Sequence, residues 1–178
     1  YIREWGMEQI VRDARISMLY EGTTGIQALD LVGRKVLGSG GQLLVEFTNE
    51  IDKFCEAHSG EENAEFVKPL LAAKEEWLEI SMKMGEAAMG NADEAGAASV
   101  DYLMYSGYVT LAYFWARMAA VAKQKIAAAD GDVSFYEAKV LTARFYFKRI
   151  LPRTATLKLT VAAGAEILMD MPEELFEL

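Results

Sequence analysis

The residues best placed to do chemistry are Glu21, Gly22, Thr23 and Thr24. The apolar pattern before them stops at Tyr20-Glu21-Gly22 and a new one starts soon after, so Glu21 falls in a break between two helices. A carboxylate there, beside Leu19 and Ile26, can take up a proton if burial or a bound ligand raises its pKa toward the working pH. Gly22 has no side chain to hold a substrate away. Thr23 or Thr24 can cap the next helix with a hydroxyl, and the free N–H groups of that first turn favour an anionic or polar group. The competing reading is a solvated loop carboxylate that merely flanks a helix start, because Glu-Gly-Thr is common turn chemistry. Residue types alone leave both readings open. Cys55 and His58, the only cysteine and the only histidine, stand three apart on an expected helix. Two ligands do not complete a zinc site, so both read as structural or surface residues.

The elements that must hold these residues are helical. Apolar spacing predicts a helix over 7–19 and another from Thr23 or Thr24 to about 37, with Ile26, Leu29, Val32, Val36 and Leu37 on one stripe. Gly38-Ser39-Gly40-Gly41 ends it and marks the expected boundary between residues 1–40 and 41–178. Further helices are expected over 43–57, 63–89 and 94–129, then over 135–151 and 153–169 with Pro152 at the junction. Pro69 implies a kink or a delayed start in the 63–89 helix. In the 94–129 helix, Val100, Leu103, Met104, Gly107, Leu111, Phe114, Met118 and Val121 mark the expected buried side. No stretch alternates as strands do. The expected fold is all-α, with an antiparallel four- or five-helix bundle from about residue 42 onward.

Composition narrows the function classes. The chain has 178 residues, 52% apolar and 25% charged, which is ordinary for a globular domain. A net charge of −9 without a lysine–arginine block argues against a nucleic-acid partner. Lys148, Arg149, Arg153 and Lys158 read as one solvated helix face. A single cysteine allows no internal disulfide, so a reducing, cytoplasmic setting is expected. The most apolar run, 108–122, is interrupted by Arg117 and is short for a membrane span, so a buried core helix is expected. The chain opens at Tyr1 inside a motif, which suggests a piece of a longer polypeptide. Its last ten residues, Met-Asp-Met-Pro-Glu-Glu-Leu-Phe-Glu-Leu, read as a natural terminus.

Three clusters occur in order within residues 1–27. They are Tyr1-Ile2-Arg3-Glu4-Trp5-Gly6-Met7-Glu8-Gln9, then Arg12-Asp13-Ala14-Arg15-Ile16, then Tyr20-Glu21-Gly22-Thr23-Thr24-Gly25-Ile26-Gln27. The run resembles the acyl-CoA dehydrogenase family, whose members commonly carry Tyr-x-x-Glu-Tyr-Pro-Val-Glu-Gln, an Arg-Asp pair and Tyr-Glu-Gly-Thr-x-x-Ile-Gln. Trp5-Gly6-Met7 departs from the usual Tyr-Pro-Val at the start of the first helix. Desaturating a thioester between Cα and Cβ needs a base for the α-proton and an acceptor for the β-hydride. The resemblance implies Glu21 as that base, working opposite flavin N5, with its backbone N–H polarising the thioester carbonyl. It implies a substrate contact at Gly22, FAD contacts at Thr23, Thr24 and Gly25, and a flavin-side contact at Gln27. Implied partners are an acyl-CoA, an electron-transfer flavoprotein or other acceptor, and further copies in a homodimer or homotetramer.

Residues 20–35 look like the longer bacterial branch, which includes dehydrogenases acting on 3-methylmercaptopropionyl-CoA and carries an appended helical domain. Residues 1–40 would then end the family's C-terminal helical domain, and 41–178 would be the appended bundle. Such a piece, lacking the domains that hold most of the flavin, would be inactive alone. The bundle has no Glu-x-x-His pair for a di-iron site. The alternative function is a helical interaction or oligomerisation module with no chemistry of its own.

Overall fold

The structure, a computed structural model, describes residues 2–176. Tyr1, at the head of the motif, and the last two residues of the expected terminus lie outside the described residues. No strand occurs among the described residues. Helices α1 (Met7–Leu19) and α2 (Thr24–Leu29) come first, and α2 runs on without a break into a wider π-wound segment (Asp30–Leu37). Then follow α3 (Gln42–Ala57), α4 (Ala64–Gly90), α5 (Asp93–Ala127) and α6 (Val133–Phe145). A π turn (Tyr146–Ile150) and a 3₁₀ turn (Leu151–Arg153) link α6 to α7 (Thr154–Val161), and the short α8 (Glu166–Met169) is followed by a 3₁₀ turn (Glu173–Phe176).

Helix α5 is the axis of the molecule, packing against α2, α4, α6 and α7. At 35 residues it is about 52 Å long, so one helix can serve all these neighbours. Its inner face combines Ala98, Ala112, Ala116 and Ala119 with fully buried Tyr102, Tyr105 and Val109. The alanines let helices approach closely, and the tyrosines fill space while their hydroxyls find acceptors. The Ser81 hydroxyl donates to the Trp77 carbonyl at 2.6 Å, so the Tyr102 hydroxyl donates to Ser81 across 2.7 Å. The Tyr105 hydroxyl donates to the Ala73 carbonyl at 3.2 Å, and that of Tyr146 to the Tyr108 carbonyl at 2.9 Å. Facing α5, α4 buries Phe66, Leu70, Trp77, Ile80 and Met84.

The expected buried side of α5 is corrected. Val100, Met104, Gly107, Leu111, Phe114, Met118 and Val121 all lie on the exposed side, and Leu103 is half-buried. Large apolar residues outnumbered alanines as a signal of burial, but here the alanine–tyrosine face turns inward. The stripe on the second helix also differs. Ala28, Val32 and Val36 are its buried set, whereas Ile26 and Leu29 are exposed. The π winding, seen in the bonds Gly38 N–H to Gly33 O at 2.8 Å and Gly41 N–H to Val36 O at 2.8 Å, departs from the 3.6-residue period on which that stripe was drawn.

Pro69 lies inside α4 without delaying its start, since a 3₁₀ turn (Glu61–Asn63) leads directly into Ala64. The last expected helix is broken at Gly164, whose φ of +79° is left-handed and closes α7 off from α8. Lys158 leaves the expected solvated face to pair with Glu76 of α4 at 3.2 Å.

Candidate functional site

Helix α1 leads to the site and buries none of its residues. Its polar groups bond along the helix: Arg12 pairs with Glu8 at 2.5 Å, and Gln9 donates to Asp13 at 2.7 Å. Gly6 stands just before α1 with φ +67° and donates its N–H to the Arg3 carbonyl. Proline is fixed near −65°, so this start cannot hold the proline of the resembled pattern.

The loop after α1 places Glu21 at the start of α2. Its Oε1 accepts from the Thr24 hydroxyl at 2.6 Å, the Thr24 N–H at 2.9 Å and the Thr23 N–H at 3.2 Å. The cap is therefore the glutamate and not a threonine hydroxyl. Thr23 makes no side-chain cap bond, and the Thr24 hydroxyl points back to the carboxylate. These donors stabilise the charged form, above all the Thr24 hydroxyl, and hold the Glu21 carboxyl down at about 2. That is opposite to the upward shift a general base needs. The carboxyl is fully open to solvent, and Leu19, Tyr20 and Ile26 beside it are 71%, 84% and 67% exposed.

The remaining candidates share the same open turn. Gly22, Thr23, Gly25 and Gln27 are exposed and Thr24 is half-buried. Nothing stands within 4 Å of where a Cβ would sit on Gly22 or Gly25, so the chain itself leaves both faces clear for a ligand. The six residues thus come together, but as one wall of a site.

Cys55 and His58 do not meet as ligands. Cys55 is buried, and desolvation pushes its thiol up to about 11, which makes it unreactive. His58 stacks on Phe54 with centroids 4.4 Å apart, and its Nδ1 lies 2.9 Å from the Phe54 carbonyl at the end of α3. No group of three or more His, Cys, Asp or Glu side chains able to hold a metal occurs among the described residues. No described helix is long and apolar enough to cross a membrane.

Sequence reasoning missed two ionic anchors. Lys74, almost wholly buried, pairs with Asp52 at 2.8 Å and ties α4 to α3. Glu65 takes two bonds from Arg144 at 2.8 and 2.9 Å and one from Lys123 at 3.0 Å, joining α4, α5 and α6. These partners lie 58 and 79 positions apart, beyond any local pattern.

The model of the family described as "Acetyl-CoA dehydrogenase C-terminal like" matches residues 47–172. The chain belongs to this family. It is also 31% identical over 188 residues to a broad-specificity linear acyl-CoA dehydrogenase of Mycobacterium tuberculosis, covering 99% of this chain and 30% of that protein. A 3-methylmercaptopropionyl-CoA dehydrogenase of Ruegeria pomeroyi is 36% identical over 154 residues, covering 85% of this chain and 26% of the relative. A butyryl-CoA dehydrogenase of Syntrophomonas wolfei is 28% identical over 187 residues, covering 99% and 29%. The chain therefore spans 26–30% of the length of these curated relatives. The family match begins at residue 47 and lies wholly on the bundle, beyond the Glu21 loop.

Proposed function

We propose that this chain is part of a flavin-dependent acyl-CoA dehydrogenase, in which Glu21 removes the α-proton of an acyl-CoA thioester. The observation that carries the reading is that relatives matching 99% of the chain are acyl-CoA dehydrogenases. Within the chain, residues 1–40 contribute the catalytic turn and 41–178 form the appended bundle. FAD, when bound, supplies the acceptor for the β-hydrogen and its electron pair. Thr23, Thr24, Gly25 and Gln27 fit one edge of such a group, since their turn is open and unobstructed. The α C–H bond breaks, its proton moves to Glu21, and its electron pair becomes the new Cα–Cβ double bond as the β-hydride leaves.

Glu21 Oε2 is the atom to receive the proton, because the three loop bonds all end on Oε1. For Glu21 to become a useful base, its pKa must rise from about 2. Exclusion of water by the rest of the protein, together with loss of the Thr24 hydroxyl bond, would do this. Gly22 gives the thioester close access. In the whole enzyme, Glu21→Gln keeps the yellow flavin and loses its bleaching by acyl-CoA; retained bleaching rejects Glu21 as the base. The electron acceptor is an electron-transfer flavoprotein or an equivalent carrier, and the whole enzyme is a cytoplasmic homodimer or homotetramer.

A second role, as an interaction and oligomerisation module, is favoured by the absence of buried residues in α1 and by the apolar outer stripe of α5. The bundle then packs against the catalytic body or a neighbouring subunit. Deleting residues 42–178 from the whole enzyme is expected to disturb assembly or activity, and a deletion that leaves both intact rejects this role.

A further inference from the structure

The exposed stripe of α5 runs from Val100 to Val121 with alternating steps of four and three residues. That is the spacing of a coiled-coil seam, whose residues insert between those of a facing helix. Among the described residues no helix lies across it, and it is flanked on either side. Two apolar grooves lie along the stripe. One, of about 480 Å³, opens beside Gly107 and Leu111 and is walled by Leu31, Leu43 and Phe47. The other, of about 490 Å³, opens beside Phe114, Met118 and Val121 and is walled by Phe135 and Tyr136 of α6.

The charges of α5 are segregated along its length. Asp93, Glu94 and Asp101 are the only charged residues of its first half, and Arg117, Lys123 and Lys125 the only ones of its second. A second α5 laid antiparallel sets Asp93 and Asp101 against the basic half of the other copy, and it opposes the helix dipoles. In that half Arg117 stands beside Lys123 and Lys125, which also pair within the chain with Glu65 and Asp130. A parallel copy would align like charges. We infer that the α5 stripe is the contact face for a second copy of this chain, with the two α5 helices antiparallel and centred near Val109.

That centre follows from complementarity. It sets Gly107 opposite the partner's Leu111, so the missing side chain at Gly107 leaves room for an incoming leucine in the first groove. It sets Met104 opposite the partner's Phe114 and Val100 opposite the partner's Met118, over the second groove. It also brings Asp93 to the level of the partner's Lys125. Shifting by one heptad in the direction that lowers the paired numbers moves Asp93 against Met118 and buries a carboxylate on an apolar residue. The stripe is about 32 Å long. This inference concerns the bundle and stands apart from the role given to Glu21.

The test begins with sedimentation of the 178-residue chain across a concentration series. A dimer is expected, and Leu111→Glu should weaken it at least tenfold while leaving the circular dichroism unchanged, since Leu111 is half exposed. A chain that stays monomeric at 100 µM, or a dimer indifferent to L111E, overturns the inference. Orientation is read by oxidation. The double variant Met104→Cys/Phe114→Cys should give a covalent dimer, and Met104→Cys alone should not, because like residues are then about 15 Å apart along the axis. Cross-linking of the single variant, or none by the double, rejects the antiparallel pair. Repeating the double variant in the whole dehydrogenase separates this partner from its own catalytic body. Absence of an intersubunit bridge there means the body covers the stripe, and the inference fails.

Discussion

The cap that Glu21 makes works against the base role proposed for it. As a cap it satisfies the first N–H groups of α2, and those same bonds lower its carboxyl to about 2. Thr24→Val removes the largest cause of the shift and should move the Glu21 titration upward toward 4.5, readable by carbon NMR of the carboxyl. An unchanged titration would show that the backbone donors alone hold the charge. Glu65 offers a matching case in the bundle. Its folded carboxyl is held at about 2 by Arg144 and Lys123, below its ordinary 4.5. The unfolded chain therefore takes up the proton first, and stability is lost as pH falls from about 4.5 through 2. Glu65→Gln should cost ~1 kcal/mol at neutral pH and flatten acid unfolding over that window, measured by urea titration at several pH values.

Helices in this chain owe their order to unequal amounts of packing. Helix α1 has 13 residues and buries none of them, so it has only its own hydrogen bonds and surface pairs to hold it. Its amides should exchange with little protection in hydrogen–deuterium exchange, while those at the centre of α5 should approach global protection. Equal protection of the two helices would contradict this ranking. Gly164, at φ +79°, is required by the stop between α7 and α8. Gly164→Ala should destabilise by ~1 kcal/mol in thermal or denaturant melts, since a Cβ is strained at that backbone angle. Tyr102→Phe leaves the Ser81 hydroxyl bonded to Trp77 and removes only the donor across α4 and α5, so a cost of ~1 kcal/mol is expected in the same melts.

On the scale of the whole molecule, the described residues make a core around α5, and the outer stripe of α5 is apolar and exposed. The residues around Glu21 form a wall without a room. The chain spans under a third of the length of its relatives. The core itself reaches back to Val32 and Val36, so the helix after the Glu21 turn is anchored in the bundle.

The helical class, the positions of α1, α3, α4 and α5 and the glycine stops were legible because propensity and breakers act within a few residues. The Glu21 turn was legible because one apolar pattern stops at Tyr20-Glu21-Gly22 and another begins soon after. What the sequence could not assign was direction. Whether the alanine–tyrosine or the methionine–leucine side of α5 turns inward depends on which surfaces α4, α6 and α7 bring to it. Large apolar side chains are equally at home in a core or against a second molecule. The ionic anchors at Lys74 and Glu65 also waited on tertiary structure, since their partners meet only after the chain has folded back. The low pKa of Glu21 did too, because it depends on where three donors point and on how much water reaches one carboxylate.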